Sequence, residues 1–181
     1  MSYFKKEKLI KLNNTYGYRD FIEDSEKKYF LNWISCNENL FQKNPAGDNR
    51  KFLILKNIDI EVEEKIKNLK NKIIELEKIN DWIDEPTYHD YIGINTNGGY
   101  IHTHTDDNVE DYIHTRWNII LQYPIDGGHS IYGNSINILE ENMIWKCEAG
   151  LVNHGSTSVI GDKSRITLSL GFQIKKLKSF F

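Results

Sequence analysis

One stretch of this 181-residue chain carries more coordinating chemistry than any other: Gly99-Tyr-Ile-His-Thr-His-Thr-Asp106. In an extended strand, alternate side chains project to the same face. His104 and Asp106 are therefore neighbours on one side, with His102 one step further along. An imidazole and a carboxylate placed this way can grip one metal ion. Two His and one carboxylate, with open positions left over, make the donor set of a non-haem Fe(II) site. The third ligand must be a distant His returned by the fold, and His154 is the downstream His whose setting suits that role.

Two other stretches alternate cleanly. In Arg116–Tyr123, Arg116, Asn118, Ile120 and Gln122 share one face, opposite Trp117, Ile119, Leu121 and Tyr123. In Arg165–Phe172, Arg165, Thr167, Ser169 and Gly171 lie opposite Ile166, Leu168, Leu170 and Phe172. The ordinary source of such a pattern is a sheet with one face in solvent. Beside a His/Asp cluster, the polar face instead reads as the lining of a cavity between two sheets. An Arg and a Thr two residues apart on that face can bind a carboxylate, bidentately through the guanidinium and once more through the hydroxyl.

These residues need strands to hold them, and the texture supplies them. From Asp90 to Phe172 the pattern has period 2, predicting strands at 90–95, 100–106, 116–123, 129–133, 135–139, 143–147, 151–154, 157–160 and 164–172. Gly98-Gly99, Asp126-Gly127-Gly128, Gly133-Asn134 and Gly161-Asp162 punctuate them as turns. Ahead of them, Ser25–Asn37 reads as a helix capped by Ser25, Asn44–Asn49 as a loop, and Phe52–Leu55 as a short strand. Glu61–Asn80 is a second helix, with Val62, Ile66, Leu69, Ile73 and Leu76 on one seam. That seam is about two heptads long, short of the ~3–4 a coiled coil wants. It reads as a buttress for a sheet, and leaves the oligomeric state open. The fold expected is mainly β with N-terminal helices: a double-stranded β-helix, or jelly roll, with α-helices on one outer face. One domain is expected, with residues 1–87 as helical support, 88–173 as the β core and 174–181 as a tail.

Composition narrows the partners. A formal net charge of −3, with no dense Lys/Arg run, offers no field to gather nucleic acid. No apolar run approaches a membrane span, and the opening residues contain no signal-peptide core. Cys36 and Cys147 lie far apart without a metal-type spacing, which fits a reducing compartment, so the cytoplasm is expected.

His104-Thr105-Asp106, then His154, then Arg165 eleven residues later with Thr167 two beyond, resembles the 2-oxoglutarate/Fe(II)-dependent oxygenases. Their signature is H-x-D…H…R-x-S/T on a double-stranded β-helix. The resemblance covers about residues 88–173 and includes the Pro124…Gly127-Gly128 and Glu148-Ala-Gly150 turns. It implies that His104, Asp106 and His154 hold Fe(II). It further implies that Arg165, helped by Thr167, pairs with the C5 carboxylate of 2-oxoglutarate. The C1 carboxylate and ketone would then fill two open metal positions, with O2 at the third. Asn118 is the candidate for contact near C1, and Arg116 a second. The subgroup stays open between aspartyl/asparaginyl and prolyl hydroxylases. The implied reaction is hydroxylation of a C–H bond of an amino acid, free or in a peptide or protein, with release of succinate and CO2. Asp106 favours hydroxylation, because halogenating members have Gly or Ala in that slot.

Two alternatives stand beside this. His102, His104, Glu110 and His154 loosely resemble the cupin pattern H-x-H…E…H, although the His-to-Glu gap is too long and a cupin has no need of Arg165. A cupin-like isomerase or dioxygenase would use His102, His104 and His154; a non-catalytic ligand-binding jelly roll would use none. His102, His114 and Tyr91 are the candidate substrate contacts, with Gly93 and Asn95 on the Tyr91 face. His114 reads first as a solvated strand-end residue, and His89 and His129 as surface residues. Trp117, Tyr123 and Phe172 are expected in the core, with Trp145 and Tyr132 open. The acidic loop Asp107–Tyr112 suggests a small or peptide substrate bearing a positive group.

Overall fold

The computed structural model describes residues 8–44 and 46–176. A hairpin of β1 (Leu9–Leu12) and β2 (Thr15–Tyr18) is followed by α1 (Asp24–Cys36), β3 (Gln42–Lys43), β4 (Arg50–Ile54), α2 (Ile60–Glu77) and β5 (Trp82–Asp84). The strands then run on: β6 (Tyr91–Asn95), β7 (Ile101–His104), β8 (Tyr112–Gln122), β9 (Asp126–Gly127) and β10 (Ser130–Tyr132). The last are β11 (Ser135–Asn137), β12 (Ile144–Cys147), β13 (His154–Ser156), β14 (Val159–Ile160) and β15 (Arg165–Lys175).

A nine-stranded sheet runs β1-β2-β12-β8-β15-β6-β4-β3, with β5 also on β15. A four-stranded sheet runs β11-β10-β13-β7, and β9 pairs with β14. The pairings are antiparallel, giving the expected double-stranded β-helix. The residues before 88 supply five of the strands as well as both helices. One of them, β4, answers to the strand expected at Phe52–Leu55; the other four are too short for their alternation to show. β8 and β15 both outrun their expected ends, because His114 and Ile113 pair with Gln173 and Ile174. The expected tail therefore begins inside β15, and residues 177–181 lie outside the described residues. No strand forms at 151–153, where the amides of Leu151 and Val152 close a turn on the Glu148 carbonyl.

The helices are placed by their caps and seams. Asp59 caps α2, its Oδ1 accepting from the amides of Glu61 and Val62 at 2.9 and 3.2 Å. The α1 N-cap is Glu23 rather than Ser25, with the Glu23 amide donating to Glu26 Oε2 at 3.1 Å. Val62, Ile66, Leu69 and Ile73 of α2 join Phe30 and Ile34 of α1 in covering one face of the large sheet. That face presents Trp117, Ile119 and Leu121 of β8, and Leu168, Leu170 and Phe172 of β15. The α2 seam is thus spent on the sheet. A smaller cluster, including Ile120, Tyr132, Met143, Trp145 and Cys147, lies on the other side. This settles Trp145 and Tyr132 as buried. Tyr123 only partly packs there, and its hydroxyl meets His129 Nδ1 at 2.8 Å.

Candidate metal centre

The polar faces of β8 and β15 turn inward. A cavity of about 270 Å³ lies between the sheets, lined by Arg116, Asn118, Arg165 and Thr167 from one side and by His104 and His154 from the other. Asp106 and Tyr91 also line it. Among the described residues, one group of His, Cys, Asp or Glu could hold a metal ion: His104, Asp106 and His154, with ligand atoms within 4.8 Å of one another.

Backbone pairing brings the two His together. His104 on β7 sits opposite His154 on β13, their rings 4.5 Å apart. His104 Nε2 is 3.3 Å from Asp106 Oδ1, and His154 Nε2 is 3.9 Å from Asp106 Oδ2. Each Nδ1 donates to the carbonyl two residues earlier, His102 at 2.7 Å and Val152 at 3.2 Å. This fixes the tautomer and leaves both Nε2 atoms free to coordinate. Asp106, just past the end of β7, is held by its amide on the Ala149 carbonyl at 2.9 Å.

A bulge decides what becomes of His102. Ile101 pairs with Ser156 and His104 with His154, so β7 spends three residues where β13 spends two. The extra residue breaks the alternation: Ile101 and His104 both line the cavity, while His102 is exposed against Tyr100. Opposite the bulge stands Gly155, where a Cβ would lie 2.7 Å from the Ile101 carbonyl oxygen. Glu110 is exposed too, so the structure does not assemble the cupin set.

Behind Asp106 lies a buried network that the sequence did not reveal. His114 is 2% exposed, not solvated, with Nδ1 3.4 Å from Asp106 Oδ2. The early start of β8 draws it inside. Arg116 Nε lies 3.8 Å from the same oxygen. Its guanidinium binds buried Glu85 at 2.8 Å, donates to the His89 carbonyl at 3.0 Å, and lies 4.7 Å from the Tyr91 ring centre. Glu85 is anchored by the amides of Thr87 and Tyr88. Gly171 makes room, since a Cβ there would lie 2.7 Å from Glu85 Cβ. Burial pushes the Asp106 carboxyl up, but the His104 hydrogen bond and the charges of His154, His114 and Arg116 outweigh it and hold it at about 2. Burial, with Arg116 nearby, lowers His114 to about 4. Asp106 is thus an anion backed by a neutral imidazole, which suits a metal ligand.

Arg165 differs from Arg116 in having no carboxylate partner. One nitrogen donates to Ser130 Oγ at 3.0 Å, and Nε is buried without a partner. Complete burial pulls its pKa down to about 10. Thr167 Oγ1 is likewise buried and unpartnered. A third guanidinium, Arg50, lines the cavity from β4, in the region where the sequence showed no motif. The acidic loop, by contrast, faces away. Asp107, Glu110 and Asp111 are exposed, and Asp111 lies 3.7 Å from Lys175. The electrostatic case for a positively charged substrate therefore has no support in the cavity.

No family profile and no curated protein matches the sequence. Solved structures do match. A viral collagen prolyl hydroxylase from Paramecium bursaria chlorella virus-1, in complex with 2-oxoglutarate, is 15% identical with a TM-score of 0.66, covering 90% of this chain and 97% of that one. HygX from Streptomyces hygroscopicus, with nickel, 2-oxoglutarate and hygromycin B bound, gives 10%, 0.69, 92% and 84%. A Trichoplax adhaerens prolyl hydroxylase, in complex with a hypoxia-inducible-factor peptide fragment, gives 10%, 0.68, 87% and 82%. The fold is that of the 2-oxoglutarate/Fe(II) oxygenases. The oxygenase fold extends over most of the chain, including the residues before 88.

Proposed function

We propose that this protein is an Fe(II)- and 2-oxoglutarate-dependent dioxygenase that hydroxylates a C–H bond of an amino acid, free or in a peptide or protein, with release of succinate and CO2. One observation carries the reading: a His/Asp/His donor set shares a cavity with a buried guanidinium that lacks a counter-ion. Burying a charge unpaired costs several kcal/mol unless an anion joins it. A cosubstrate carboxylate on Arg165 would take up the orphaned Arg165 Nε and Thr167 hydroxyl.

His104, Asp106 and His154 would hold the metal, which with 2-oxoglutarate and O2 bound supplies the oxidising chemistry. The protein does the rest. The two backbone carbonyls orient the imidazoles, His114 and Arg116 support the Asp106 carboxylate, and Asn118 offers an amide near C1. Tyr91 and the sheet walls exclude water from the reacting centre. His114 would act behind the metal rather than on the substrate, and His102 lies outside the cavity. The breadth of similar folds, with a peptide bound in one and hygromycin B in another, leaves both peptide and small-molecule substrates in view. The free cysteines, Cys36 and Cys147, fit the cytoplasmic location we infer. No helix among the described residues is long and apolar enough to cross a membrane.

The test is anaerobic titration with Fe(II) and then 2-oxoglutarate, followed by the visible charge-transfer band and by calorimetry. The band should appear, and Arg165→Ala should weaken 2-oxoglutarate binding by about 100-fold while iron binding persists. Iron binding with no response to 2-oxoglutarate would overturn the proposal.

A further inference from the structure

Besides Arg165, the cavity holds another guanidinium without a carboxylate partner, and the proposed cosubstrate has no use for it. Arg50 on β4 sits in register with Asn95 on β6, and Asn95 with Arg165 on β15. The three form one row on the cavity face. Their outer members stand two strand spacings, about 10 Å, apart. Arg50 is 6% exposed, makes no ion pair among the described residues, and its Nε is buried without a hydrogen-bond partner. Acids on the adjoining segments are taken: Asp48 accepts from the Tyr100 hydroxyl, and Glu38 pairs with Lys51. Arginine cannot shed its proton to escape this position. An anion from outside the chain is what the site lacks.

That anion is not accounted for by 2-oxoglutarate. One of its carboxylates goes to Arg165 and the other to the metal. Arg50 Nη2 lies over Gly93, 3.7 Å from where a Cβ would stand. Tyr88, 48% exposed, lines the same cavity where it meets solvent. A volume of about 270 Å³ falls just below the ~300–1,000 Å³ of drug-sized pockets. It suits 2-oxoglutarate and one small group.

We propose that Arg50 receives a carboxylate of the substrate, which is therefore a small organic acid, a free amino acid included, or a peptide presenting an acidic group. This rests on the oxygenase reading, which assigns Arg165 to the cosubstrate. It reverses the sign of substrate charge that the acidic loop suggested.

The experiment is calorimetry on Mn(II)-loaded protein without oxygen. 2-Oxoglutarate is titrated first. The twenty free L-amino acids and their carboxamides follow, then end-blocked peptides containing Asp or Glu. At least one carboxylate probe should bind, and its amide at least tenfold more weakly. Arg50→Gln should weaken that acid about 10- to 100-fold, yet move 2-oxoglutarate affinity by less than about threefold, with Arg50→Lys recovering part of the loss. A free acid or a blocked peptide as the responding probe identifies the source of the carboxylate. Binding of acid and amide alike, loss of 2-oxoglutarate binding in Arg50→Gln, or silence from every carboxylate probe would overturn the proposal. Arg50→Gln should also melt at or above the wild-type temperature, since no internal partner loses a bond; a clear drop would mark Arg50 as structural and overturn it as well. If wild-type protein binds no 2-oxoglutarate, the oxygenase reading falls, and the acid-against-amide difference still tests Arg50.

Discussion

The two faces of β8 and β15 are made by the same strands and are almost equally buried, yet they are built to opposite ends. On the helix-covered face, Trp117, Ile119, Leu121, Leu168, Leu170 and Phe172 are at most 1% exposed and packed by apolar neighbours. On the cavity face, Arg116, Asn118, Arg165, Thr167 and Ser169 are also at most 8% exposed. There, however, Arg165 Nε, Thr167 Oγ1 and Ser169 Oγ have no partner. Native interiors leave few polar atoms in that state. Burial does not separate the two faces; the number of polar atoms left without a partner does, since the six residues of the helix-covered face leave Trp117 Nε1 in that state and the polar face leaves three atoms. The first face is filled by apolar packing, and the second leaves polar groups open toward the cavity.

That contrast can be broken by measurement. The largest effect belongs to the helix-covered face. Phe172, fully buried against Trp82 at 5.2 Å between ring centres, should cost about 3–5 kcal/mol as Phe172→Ala. Urea unfolding gives the number, and iron bound per folded molecule should not change. Arg165→Ala should behave in the opposite way, losing 2-oxoglutarate but not stability; a loss of stability as large as that of Phe172→Ala would erase the distinction between the faces.

Next comes the apolar cluster beneath the cavity. Burial pushes Tyr132 up to about 12 from its ordinary 10.0. The folded state then holds a proton that the unfolded chain gives up first. Its contribution is full below pH 10 and is lost as pH rises through 12. The loss amounts to about 3 kcal/mol, and urea midpoints across that range should fall less in Tyr132→Phe.

The smallest effect is expected at Ser169, on the cavity face. Its hydroxyl is buried and unpartnered, so Ser169→Ala should change stability by less than about 1 kcal/mol, with a slight gain. A substantial loss would mean that this face is internally bonded after all.

Much of the site is legible in the sequence where it depends on short-range geometry. The spacing of His104 and Asp106 puts both at one strand end. The alternation in 116–123 and 165–172 sorts each side chain to its face, because side-chain direction in a strand has a period of 2. The α2 seam announces a buried stripe in the same way. Failures begin where that period is interrupted or where pairing crosses long separations. His102 obeys the alternation on paper, but the bulge opposite Gly155 turns it outward. His114 looks like a strand-end residue, until the pairing of β8 with β15 carries it inside. Glu85 and Arg50 carry no motif at all. They matter because β15 leaves space at Gly171 for the one, and because β4 docks in register on β6 for the other.

The sequence alone therefore determined the fold class, the candidate ligands and the face of each long strand, since these follow from residue type and local periodicity. Only the tertiary structure decided which polar groups are neutralised and which are left waiting. Arg116 meets Glu85, whereas Arg165 and Arg50 meet no carboxylate, and nothing in the local sequence distinguishes them. Whether a buried charge finds its partner depends on which distant strands the fold brings beside it.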